Sequence, residues 1–67
     1  MTTYYKVFNL EDEDDLYVMD FQGIKNFLGG IWEHSDPELF DHIHSDLVTI
    51  ERLQEIATGC GYFIEED

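Results

Sequence analysis

The residues with the most obvious chemical potential are three histidines, His34, His42 and His44, interleaved with Glu33, Asp36 and Asp41. A zinc site needs three or four such ligands on converging faces. His42 and His44 stand two apart on a predicted helix, so they point about 200° away from each other and cannot share one ion. A second group, Asp12, Asp14 and Asp15, raises the question of calcium. An EF-hand loop needs glycine at its sixth position and glutamate at its twelfth. Counting from Asp12 these are Tyr17 and Gly23, and counting from Asp14 they are Met19 and Lys25, so the motif is absent. No metal or other cofactor is expected.

Catalytic constellations are equally hard to build. Two carboxylates acting as acid and base need a walled cleft that separates their pKa values. A 67-residue chain rarely supplies one. The few serines and threonines read as helix caps or strand residues, and neither Gly29-Gly30 nor Gly59-x-Gly61 has the spacing of a phosphate loop. The lone cysteine, Cys60, has no partner for an internal disulfide and no basic neighbour to lower its pKa. It reads as a core filler in a reducing compartment. The chain is therefore expected not to be an enzyme.

Charge says more. Sixteen Asp and Glu face three basic residues, Lys6, Lys25 and Arg52, for a net charge of −13. Nucleic acid is excluded as a direct ligand, because binding it requires cations that replace phosphate counterions. An anionic membrane surface is excluded by the same sign. The N-terminal Met1-Thr2-Thr3-Tyr4-Tyr5-Lys6 does not read as a signal peptide. No apolar run approaches the roughly 20 residues of a membrane helix. The expected location is the cytoplasm. High net charge alone would suggest disorder, but hydrophobic residues make up 43% and aromatics 15% of the chain, enough for a core.

The elements that must position these groups follow from periodicity. Thr3 to Leu10 reads as a strand, with Tyr5 and Val7 on one face and Tyr4, Lys6 and Phe8 on the other. Leu16 to Met19 reads as a second strand, making a hairpin whose tip is the acidic run 11–15. Asp20 caps a first helix with Ile24, Phe27, Leu28, Ile31 and Trp32 at helical spacing, expected to end or kink at Gly29. Ser35 and Glu38 have capping-box spacing around Pro37 and open a second helix to about Ser45, with Leu39 or Phe40, Ile43 and Leu47 as its apolar stripe. Thr49 caps a third helix with Ile50, Leu53, Ile56 and Ala57 inward, stopped between Gly59 and Gly61. Tyr62 to Ile64 is a last strand, followed by an acidic tail 65–67. The whole of 1–67 is one small α+β domain in ββαααβ order, a three-stranded antiparallel sheet covered on one face by two to three short helices.

What remains to be explained is the acid. Carboxylates spread over a small rigid fold present spaced negative charge, as a duplex backbone does. They would compete for the basic groove of a nucleic-acid-binding protein by counterion release with the roles reversed. The expected contact residues are Glu11, Asp12, Glu13, Asp14, Asp15, Asp20, Asp36, Glu38, Asp41, Glu65 and Glu66, with Tyr17 and Trp32 as aromatic anchors. In size, pI near 4 and aromatic content the chain resembles the DNA-mimic inhibitors of phages and mobile elements: anti-restriction proteins, anti-CRISPR proteins and uracil-DNA glycosylase inhibitors. The resemblance is of composition, and no motif carries functional residues across. It implies a basic protein partner, a nucleic-acid-binding protein or nuclease, and is compatible with a homodimer. The alternative is a small cytosolic interaction or accessory domain with a solubilising acidic surface and an aromatic contact patch.

Self-repulsion at −13 opposes folding, and salt relieves it. The melting temperature is expected to rise between about 0.01 and 0.15 M sodium chloride, as the Debye length falls from about 30 to about 8 Å. A flat or falling curve in a calorimetric salt series would mean that the charges are already paired.

Overall fold

Val7 lies opposite Ile64, and both are almost wholly buried. That pair marks the centre of the sheet in the computed structural model, which describes residues 2–67; the side chain of Glu13 lies outside the described residues. The elements are β1 (Tyr4–Asn9), β2 (Asp12–Asp20), α1 (Phe21–Trp32), α2 (Pro37–Ile43), α3 (Ile50–Gly59) and β3 (Tyr62–Glu66). The fold is α+β in the expected ββαααβ order. The sheet is antiparallel with strand order β2-β1-β3, so the last strand joins β1.

Helices α1 and α3 cover one face of the sheet, and α2 packs on α1. Val7 and Ile64 from the sheet, Ile24 and Leu28 from α1, Ile43 from α2, Val48 from the following loop, and Leu53, Ile56 and Ala57 from α3 form a single core. Each fully buried aliphatic side chain stabilises the fold by about 1.5–3 kcal/mol. Asp20 caps α1 by accepting from the Gly23 N–H at 2.7 Å, and Thr49 caps α3 by accepting from the Arg52 N–H at 3.2 Å. Gly61, with φ +87°, turns the chain from α3 into β3 in a conformation that favours glycine. Its carbonyl accepts from the Leu10 N–H at 2.8 Å.

Four local expectations are corrected. Helix α1 does not stop at Gly29 but continues to Trp32, because Gly29 is a buried contact point where the His44 imidazole lies against the helix backbone. The cap of α2 is Asp36 rather than Ser35: its carboxylate accepts from the Leu39 N–H at 3.2 Å, with Pro37 opening the helix. That helix ends at Ile43, and Leu47, beyond it, is 89% exposed rather than part of its stripe. The acidic segments are less loop-like than their charge suggests. Only Leu10 and Glu11 connect the first two strands, and Glu65 and Glu66 belong to β3, opposite Lys6 and Tyr5.

One cation is inside. Lys25 is 7% exposed, donates to the Ser45 carbonyl at 3.2 Å and lies 5.7 Å from the centre of the Phe21 ring. It thereby ties α1 to the loop after α2. Among the described residues no helix is long and apolar enough to cross a membrane.

The two neighbouring glycines of α1 are expected to respond oppositely to alanine. Gly30 has open space where a Cβ would stand. Gly30→Ala should stabilise by about 0.5–1 kcal/mol through helix propensity. Gly29→Ala has the same propensity gain, but its methyl would collide with His44. Urea unfolding should therefore place Gly30→Ala above the parent chain and Gly29→Ala below Gly30→Ala; equal midpoints for the two variants would show that His44 yields freely.

Candidate binding surfaces

The acidic run is held by one amide side chain. Phe8 pairs with Leu16 while Asn9 pairs with Asp12, so Glu13, Asp14 and Asp15 form an excursion of β2 with no ladder partner. The Asn9 amide Nδ2 donates to the Asp15 carboxylate at 3.3 Å, and its Oδ1 accepts from the Glu11 N–H at 2.9 Å. Asp12 accepts from the Asp14 N–H at 3.1 Å, and both are exposed. The negative tip is thus a fixed surface on an edge strand. Tyr17 is 44% exposed at the base of this excursion, its ring 6.0 Å from that of Phe27. A hydrogen bond with Asp15, and the charge of that carboxylate, push the Tyr17 phenol above its ordinary pKa.

A second set of acids occupies the helical side of the slab. Asp36, Glu38 and Asp41 on and before α2, and Glu51 and Glu55 on α3, are all exposed. Asp36, Glu38, Leu39, His42 and Arg52 line a shallow, open depression between α2 and α3. Arg52 does not neutralise the depression freely: it donates to His42 Nε2 at 3.2 Å and pairs with Glu55 at 3.0 Å. Lys6 pairs with Asp67 at 3.5 Å, and Lys25 is buried. All three basic side chains are therefore engaged within the fold, and the two ion pairs, being exposed, contribute only about 0–1 kcal/mol each. The remaining described carboxylates have no basic side chain as partner.

The expected contact residues do not converge on one face. Glu11 to Asp15 sit at one end of the β2 edge, Asp36, Glu38 and Asp41 on the helical side, and Glu65 and Glu66 on the β3 edge, while Asp20 is committed to capping α1. Trp32 is half-buried against the core rather than displayed. Its indole N–H is buried without a hydrogen-bond acceptor of ordinary geometry, and its polar neighbour is the Cys60 thiol. The histidines also part company. His44 stacks on Phe40 with ring centres 4.7 Å apart, His42 accepts from Arg52, and His34 is exposed. Among the described residues no group of three His, Cys, Asp or Glu side chains comes together.

The surface to which sequence reasoning assigned no contact residues is the uncovered face of the sheet. Phe8, Leu16 and Phe63 form one row across the three strands, with the Phe8 and Phe63 rings 6.4 Å apart. Val18 and Lys6 lie in the next row. Leu10, 56% exposed, closes a shallow apolar hollow with Phe8 and Phe63. Tyr4, Leu16, Val18 and Phe63 are between 46% and 55% exposed. The signal was present: Tyr4 and Phe8 are as apolar as Tyr5 and Val7, and Leu16 and Val18 as apolar as Tyr17 and Met19. Strands that are apolar on both faces belong to sheets covered on both faces. Comparison with known proteins finds no matching family model, no matching curated protein and no matching solved structure.

The Cys60 thiol donates to the Ile56 carbonyl at 3.3 Å, and burial pushes its pKa up, partly offset by the Trp32 indole. A raised pKa means less thiolate at a given pH. Cys60 should therefore react with a disulfide reagent such as dithiobis-nitrobenzoate several-fold more slowly than free cysteine at mildly alkaline pH, and at the free-thiol rate in denaturant. Reaction of the folded chain as fast as free cysteine would contradict this assignment.

Proposed function

We propose that this chain is a small acidic binding protein that occupies the nucleic-acid-binding site of a basic partner, a nuclease or another nucleic-acid-binding protein, as anti-restriction, anti-CRISPR and DNA-repair-inhibitor proteins do. The observation that carries the reading is the internal commitment of all three basic residues, which leaves the described carboxylates of the β2 excursion, of α2 and of Glu51 on α3 with no compensating cation. A surface of fixed carboxylates attracts a basic groove and adds steering to its association. In this reading the chain has no catalytic role and needs no cofactor, and its place of action is the cytoplasm, a bacterial host's if it is phage-encoded. A second reading has one specific observation in its favour: the open apolar sheet face suits an interaction domain that docks by hydrophobic contact.

Competition separates the two. A partner captured on the immobilised chain should release duplex DNA when the chain is added, and the complex should weaken steeply with salt. Replacing Glu11, Asp12, Glu13, Asp14 and Asp15 with Gln and Asn should weaken binding by at least about tenfold, roughly 1.4 kcal/mol, without lowering the melting temperature. A partner that holds the chain and DNA at once, each without effect on the other, rules out mimicry. A complex insensitive to salt but broken by Leu16→Lys would support the apolar docking reading instead.

A further inference from the structure

We infer that the uncovered sheet face is a homodimer interface, two copies packing sheet to sheet with their helices outward. The molecule is a slab of 31 × 30 × 16 Å, two layers thick, and the bare sheet face is one of its two broad sides. The helices bury one side of β1 and leave Phe8, Leu16, Val18 and Phe63 on the other, with Tyr4 and Leu10 at its ends. A standard interface needs roughly 800 Å² from each partner. A side 31 × 30 Å across can supply that from its apolar centre and polar margin together. Stacked sheets pack about 10 Å apart with interleaved side chains, and large aliphatic and aromatic groups at half exposure are the groups that fill such a gap.

Self-complementary area argues for a second copy as the occupant, and the distribution of charge permits it. By register, the bare face carries one cation, Lys6, beside the carboxylates of Asp20, Glu65 and Asp67. The acids of the segment from Glu33 to Glu55 lie on the helical side, across the thickness of the slab. Of the described carboxylates whose side the register or the helices fix, the bare face thus carries fewer than the helical side, in a chain of net charge −13. At about 0.15 M salt the Debye length is about 8 Å, half of the 16 Å thickness of one copy. Two helical sides, each a full copy removed from the interface, are then screened from one another. A two-fold axis makes the contact self-complementary and closed. The edge strand β2, with its acidic excursion, discourages the competing edge-to-edge association.

The inference stands independently of the proposed function, and salt tells them apart, because repulsion between like copies is relieved by salt whereas attraction to a basic partner is weakened by it. Light scattering behind size exclusion on the full chain, from about 1 to 100 μM in about 0.15 M sodium chloride, should show a species of twice the 7.9 kDa chain mass. Dimerisation should weaken several-fold at about 0.01 M, where the Debye length reaches about 30 Å. Val18→Lys and Phe63→Lys should each weaken it at least tenfold. Both residues are about half exposed, so circular dichroism melts should confirm that the variants fold. Both changes reduce the net negative charge, so dissociation would not come from greater overall repulsion between the acidic copies. A monomer throughout, an assembly larger than a dimer, a dimer indifferent to both lysines, or a dimer that tightens at low salt each overturns the inference. A dimer that captures no basic partner leaves it standing and removes the proposed function.

Discussion

Val7 on β1 touches the helical layer from the middle of the sheet, and Ile64 on β3 stands opposite it; this buried strip is the floor on which α1 and α3 rest. Without it, the hairpin of β1 and β2 would be a two-stranded ribbon, marginal in water, and the helices would have nothing to bury Leu28 and Leu53 against. The strip is narrow because the chain is short. A domain of this size hides only about 60% of the surface of its unfolded chain, and here that fraction is spent on one side of the sheet.

That constraint explains how charge and apolar surface are arranged. The inside has room for a single cation, Lys25, whose stem is buried and whose ammonium finds the Ser45 carbonyl. The carboxylates stay outside, several of them in structural roles that neutral residues could also fill, such as Asp20 and Asp36 at helix starts. The aromatic side chains the core cannot hold are distributed rather than gathered: Tyr17 against Phe27, Phe27 edge-on to Tyr62 at 5.1 Å, and Phe8 beside Phe63 on the bare side. The result is a molecule with an acidic side, a bare apolar side and an acidic end.

Much of this could be read from residue order. The caps Asp20 and Thr49 were legible because a side-chain oxygen before an apolar stripe satisfies helix N–H groups that nothing else reaches. The element order and the inward faces of α3 and of most of α1 followed from periodicity alone, Ile31 excepted, which is exposed. The misreadings arose where tertiary contact overrides a local rule. Gly29 looks like a helix stop until His44 is seen lying against it. Ser35 and Asp36 are both good caps, and only the geometry of the entering chain selects Asp36. Leu47 fits the stripe of α2, but the helix has already ended. That one sheet face stays uncovered was legible too, because three short helices can cover only one side; what was not read is that Leu16, Val18 and Phe63 gather there with Phe8 as one apolar patch.

The pairing of Val7 with Ile64 joins residues near opposite ends of the chain. Its consequence concerns the order of events in synthesis. The hairpin and α1 emerge first, and each can form locally, but the central strand β1 keeps one edge vacant until β3 has been made and returned. Closing a loop that spans nearly the whole chain is the slow kind of step in folding, because its entropy is lost before the contact rewards it. Until that closure the sheet is half finished and its apolar strip unburied, a state in which an open strand edge invites pairing with another chain, and the mutual repulsion of chains of net charge −13 opposes that pairing.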